Sequence, residues 1–143
     1  MKIPEYISKT EVQKACQELG IRDWTKLTEP LATLDEAKII QTEVGGEAIQ
    51  ISVEEFKQGL DVELEHGIIF PDANITNNHP ILTGMIVLAH LKEMLDYYIR
   101  LEVAEIEGDI IKAYKANSKD KILTLNKKLI DAKLALSKSD AKK

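Results

Sequence analysis

Ile81-Leu82-Thr83-Gly84-Met85-Ile86-Val87-Leu88-Ala89-His90-Leu91-Lys92-Glu93-Met94-Leu95 is apolar on nearly every side of a helical wheel. A helix without a wet face belongs at the centre of a fold. Pro80 suits its first position, with Asn78 or His79 as cap. Gly84 marks a place where another helix can cross closely. The helical pattern runs on from Pro80 towards Tyr114, which predicts one long central helix. The apolar stretch falls short of the roughly 20 residues of a membrane span. Its Thr83, Gly84 and His90 also fit a buried helix, so no membrane role is expected.

Upstream, Ser52-Val53-Glu54-Glu55 has the spacing of a capping box. It predicts a helix over 53–66 that stops at Gly67. Phe56, Leu60 and Gly67 share one face of that helix, and Glu63 falls in its middle. A carboxylate among core positions costs several kcal/mol unless it is paired. Glu63 is therefore expected to have a partner, whereas Glu65 points to solvent. His66, in the last turn, is favoured there by the helix dipole when protonated. Ile68–Pro80 carries turn chemistry and reads as a loop, with His79 an exposed cap residue.

A first helix is predicted from Thr10 to Leu19, capped by Ser8 or Thr10 and stopped by Gly20. Cys16 lies in its apolar stripe and reads as a small core residue. Trp24, Leu27, Leu31 and Leu34 form a short helical or looped layer. Asp35–Val44 is a short helix ended by Gly45-Gly46, and Ala48–Ile51 a brief extended piece. Downstream, Ile99, Val103, Ile106, Ile110 and Ala113 keep a 4-3-4-3 spacing. Ser118 breaks the pattern and caps the next helix. Ile122, Leu125, Leu129, Ala132 and Leu136 then keep 3-4-3-4 spacing. Two such stripes joined by a short turn predict an antiparallel hairpin of coiled-coil type. Residues 137–143 are expected to fray.

The 143 residues suit one ordinary domain, and 44% hydrophobic with 5% aromatic residues means an aliphatic core. The lone Cys16 excludes an internal disulfide and favours a reducing compartment. The N-terminal residues lack a signal-peptide apolar region, so a cytoplasmic location, or one within a virion, is expected. The net charge of −5 is unevenly spread. Residues 1–111 hold 21 acidic and 9 basic side chains, a net of −12, and residues 112–143 hold 10 Lys and 3 Asp, a net of +7. The chain thus reads as an acidic helical core, 1–111, with a basic helical arm, 112–143, that is not an independent domain. That arm can meet its own body, another copy or an anionic partner. For nucleic acid it lacks Arg, and Tyr114 is its one aromatic residue.

Two polar clusters interrupt the apolar pattern: Glu63-Leu64-Glu65-His66, and His90-Leu91-Lys92-Glu93 with Asp96-Tyr97-Tyr98. Each His is three residues from a Glu, on one helix face. Glu-x-x-His is the half-site of di-iron carboxylate bundles, but the second cluster has it reversed and further carboxylates are missing. Glu63, His66, His90 and Glu93 would suffice chemically for one zinc, iron or manganese ion. The alternative is a buried hydrogen-bonded network joined by Asp96, Tyr97 and Tyr98. A Gly-x-Ser-x-Gly elbow, a His-Glu-x-x-His motif and a phosphate-binding loop are all lacking. No catalytic set emerges, and a non-enzymatic role is the expectation.

Gly59-Leu60-Asp61-Val62-Glu63-Leu64-Glu65-His66-Gly67, Asn74-Ile75-Thr76-Asn77, Pro80-Ile81-Leu82-Thr83-Gly84 and Ala89-His90-Leu91-Lys92-Glu93 with Asp96-Tyr97-Tyr98 occur in that order. Together they resemble an uncharacterised (DUF5661-like) family of small bacterial and bacteriophage proteins. The resemblance covers residues 56–101. His79 and Met94-Leu95 depart from the family pattern, and neither departure touches the Glu63, His66, His90 and Glu93 set. The family implies no established activity; it implies a phage or prophage setting and a shared core that includes the polar clusters.

The expectation is an all-α protein: a helical core with a long central helix and a C-terminal antiparallel hairpin. The leading function is a small structural or interaction protein, a virion or accessory component that assembles through its hairpin. A metal-binding protein using Glu63, His66, His90 and Glu93 is the alternative. A nucleic-acid or regulatory partner bound through the Lys-rich tail is the third reading.

Overall fold

The structure, a computed structural model, describes residues 7–141. Six α-helices and two 3-10 segments make up these residues, with no strand among them. The fold is all-α. Contacts divide the chain into two units, residues 1–92 and 93–143.

In the first unit, α1 spans Lys9–Leu19. Ser8 caps it by accepting from the Glu11 N–H, and Gly20 ends it at φ +67°. Cys16 is buried, as its place in the stripe requires, and accepts from the Trp24 N–H at 3.5 Å. Burial pushes its thiol pKa up, which disfavours a nucleophilic thiolate. Trp24, fully buried, opens the 3-10 turn Trp24–Lys26.

Helix α2 is Leu34–Val44, and it begins with a capping box between Thr33 and Glu36. The segment expected to extend after it is instead the 3-10 turn Gly46–Gln50. The reason is local. Buried Gln41 donates from Nε2 to the carbonyls of Ala48 and Ile51, at 2.9 and 2.8 Å. A lone extended piece would have left those carbonyls without a ladder partner.

Helix α3 is Val53–Ile69, longer than expected. Ser52 caps it, accepting from the Glu55 N–H and donating to the Glu55 carboxylate at 2.7 Å. Gly67 does not stop it. A side chain there would strike Asn78 and Asn74 of the following loop, so its role is close approach. Helix α4, Pro80–Glu93, starts at Pro80 as expected. The His79 carbonyl accepts from the Thr83 N–H at 2.9 Å. The His79 side chain is half-buried rather than exposed, and burial lowers its pKa. Gly84 marks the expected close crossing: an added Cβ would lie 2.7 Å from Ile40 and 2.9 Å from Val44, both on α2.

The long helix expected from Pro80 towards Tyr114 is two helices. α4 ends at Glu93, and α5 runs Tyr97–Lys115. The Tyr97 N–H donates to the Met94 carbonyl in the turn between them. Asp96 occupies the N-cap position of α5. Asp is a poor helix-interior residue and is favoured at helix starts. The apolar spacing that restarts at Ile99 records the same break.

In the second unit α5 pairs with α6, Lys119–Asp140. Ile106, Ala113, Leu125 and Ala132 form the core, with Val103, Ile110, Ile122 and Leu129 packed against it. Two ion pairs record the antiparallel register, Arg100 with Asp140 at 2.5 Å and Glu107 with Lys133 at 2.7 Å. The turn differs from expectation. Asn117, at φ +52°, stops α5, with Ser118 N–H donating to Ala113 and Asn117 N–H to Tyr114. Ser118 holds the N-cap position of α6 but makes no side-chain capping bond. Residues 137–140, expected to fray, continue α6, and the Arg100 contact holds Asp140. Residues 142–143 of that segment, like residues 1–6, lie outside the described ones.

Candidate functional site

Glu63 sits on α3 at the edge of its buried face, where Phe56, Gly59, Leu60 and Leu64 make contact with the core. Its side chain is 13% exposed. Imidazoles from two helices lie beside it. His66, one turn on, places Nδ1 3.8 Å from Oε2. His90 on α4 places Nε2 3.6 Å from Oε1. One carboxylate thus lies between two imidazoles, and the His90 pair joins α3 to α4. His66 is 59% exposed and His90 31%, so the two contacts are screened very differently.

The other members of the predicted set belong to the second unit. Glu93 is exposed at the last residue of α4. Asp96 is 1% exposed and forms an ion pair with Arg100 at 2.8 Å. Tyr97 and Tyr98 pack edge to face, with centroids 5.1 Å apart. Arg100 was absent from the predicted set, although the i,i+4 spacing from Asp96 is a recognisable signal for such a pair. Among the described residues, no three His, Cys, Asp or Glu side chains are grouped so as to hold a metal ion.

Beside Glu63 lies a cleft of about 320 Å³ between the end of α3, the loop after it and α4. Its shape comes from an asparagine scaffold. Asn77 and Asn78 adopt left-handed conformations, at φ +48° and +60°. Asn is the residue, after Gly, that tolerates this best. Asn74 Nδ2 donates to the Gly67 carbonyl at 3.1 Å and to Asn78 Oδ1 at 2.9 Å. Asn77 Nδ2 donates to the Ile7 carbonyl at 2.6 Å.

A second buried charge went unread in the sequence. Glu36 is 4% exposed. Arg22 meets it with three bonds, side-chain Nε–Oε1 at 2.9 Å and Nη2–Oε2 at 2.6 Å and backbone N–H to Oε1 at 3.3 Å. The Thr33 N–H and the Trp24 indole donate to it at 2.8 and 3.3 Å. Burial alone would raise its pKa; these donors outweigh it and hold the carboxyl at about 2. Thr33-Leu34-Asp35-Glu36 is a capping-box pattern and was the available signal. The network locks α2 to the preceding loop.

The family described as protein of unknown function (DUF5661) matches residues 12–107. The match extends the resemblance read at 56–101 back through α1 and on into α5. No curated protein and no solved structure matches the chain. No helix among the described residues is long and apolar enough to cross a membrane.

Proposed function

The chain belongs to the DUF5661 family of unknown function, and we propose that it is a small interaction protein that self-associates through its C-terminal hairpin. The observation that carries this reading is a second apolar stripe on α6. Leu123, Ile130 and Leu134 are 65%, 68% and 53% exposed. At about 100° per residue they fall on one line, away from the Leu125–Ala132 face that packs on α5. On α5, Ile111 and Tyr114 are exposed as well.

Charge supports a second copy as the partner. α5 carries Glu102, Glu105, Glu107 and Asp109, and α6 carries six lysines, of which Lys133 pairs with Glu107 inside the hairpin, as Asp109 does with Lys112. One hairpin therefore holds both halves of a self-complementary surface, as a two-fold dimer requires. The six stripe residues of two copies offer about 6–12 kcal/mol of further apolar burial. Association costs about 4–15 kcal/mol. The two ranges overlap, so the stripe alone does not fix the strength of the dimer, which the concentration series reads directly.

Sedimentation velocity across a concentration series tests the reading. A dimer that becomes monomeric in Leu123→Asp/Ile130→Asp supports it. A strict monomer at high concentration overturns it.

A further inference from the structure

The cleft beside Glu63 falls at the small end of ligand pockets, about 300–1,000 Å³. Its lining is chemically lopsided. Phe70, Ile75 and Ile86, all exposed large apolar residues, converge on it. Glu63 and His66 lie at the polar side with Asn74 and Asn78, and neither Lys nor Arg lines it. Exposed apolar side chains gathered around one carboxylate suit a ligand with a cationic head and an apolar body.

We propose that this cleft binds an alkylammonium group, its ammonium at Glu63 and its apolar stem along Phe70, Ile75 and Ile86. An ammonium has three N–H donors. The Glu63 carboxylate accepts, with the His66 imidazole Nδ1 3.8 Å from it at the polar side. An aromatic ring in the wall adds attraction for a cation. An anion would meet the Glu63 charge, and a neutral alkyl chain would gain the walls alone. The ammonium can belong to a free amine or to a lysine side chain of a partner protein; the recognition chemistry is shared.

The test is an NMR titration of the full chain with n-hexylammonium, with n-hexanol and hexanoate as matched controls. Nα-acetyl-lysine methylamide, run in parallel, distinguishes the sources. Binding of both cations assigns a lysine side chain, and binding of hexylammonium alone assigns a free amine. The expected result is saturable shifts at Phe70, Ile75 and Ile86 with either cation and none with the controls. Glu63→Gln should weaken binding by roughly tenfold or more. Ile75 is 84% exposed, so Ile75→Ser keeps the fold and should weaken binding several-fold even if Glu63→Gln does not fold. Equal binding of hexanol or hexanoate, or full affinity in either folded variant, overturns the proposal. So does an absence of binding at millimolar cation. Stoichiometric zinc binding that requires Glu63 and His66, with hexylammonium inert, overturns it in favour of a metal.

Discussion

A Cβ on Gly67 would lie 2.0 Å from Oδ1 of Asn78. The helix and its following loop are interlocked at that contact, because Asn78 is buried and held by Asn74 Nδ2 at 2.9 Å. Glycine in a helix interior ordinarily costs about 1 kcal/mol relative to alanine. Here the order should reverse. Gly67→Ala is expected to destabilise the protein by about 1–3 kcal/mol in urea unfolding, the range for overpacking. Asn78→Gly keeps the left-handed backbone and removes the nearer of the two obstacles, leaving Asn74 Nδ2 at 2.7 Å. Adding it to Gly67→Ala should therefore cost less than the two separate effects combined.

Acid should loosen the first unit through Glu36. Its folded pKa, about 2, lies below the ordinary 4.5. The stabilisation is therefore present above about pH 4.5 and lost as pH falls through 2. The shift corresponds to about 3 kcal/mol at neutral pH. Urea midpoints should fall steeply from pH 4.5 to 2, and Glu36→Gln should be less stable at pH 7 with a flatter acid profile. An unaltered acid slope in the folded variant would remove Glu36 as the cause.

The contact between Glu63 and His90 should be measurable and that with His66 should not. His90 is the more buried and reaches from another helix, whereas His66 is 59% exposed. A double-mutant cycle of Glu63→Gln and His90→Ala is expected to give a coupling of about 0.5–1 kcal/mol. His66→Ala should change stability by less than about 0.5 kcal/mol. Equal couplings for the two histidines would contradict this geometry.

Asn117 should decide the hairpin turn. Its φ of +52° lies in the left-handed region, which costs an ordinary L-residue about 1–2 kcal/mol. Asn117→Ala should lower the thermal midpoint, and Asn117→Gly should leave it unchanged or raise it. A neutral alanine variant would show that the turn rearranges freely.

Local rules made much of this protein legible from its residues. Ser8, Ser52, Pro80 and Gly20 sit where capping and termination chemistry require. The apolar spacings of 99–113 and 122–136 mark two amphipathic helices, and the short turn between them makes the pair an antiparallel hairpin. The need of Glu63 for a partner also followed from its place on the helix wheel, since desolvating a charge is costly wherever it occurs.

Tertiary structure decided what spacing could not. Gly67 has the same local signature whether it ends a helix or admits a neighbour, and the position of Asn78 makes it the second. The crossing of α3 and α4 brought His90 to within 3.6 Å of Glu63, while Asp96 closed with Arg100 inside its own unit. Glu36 looked like one more surface carboxylate until Arg22 and Trp24, more than ten residues away, closed over it. The physical reason is the same in each case. Propensity, capping and periodicity act over one or two turns of chain, whereas burial of a charge or exclusion of a Cβ is set by residues that only folding brings near.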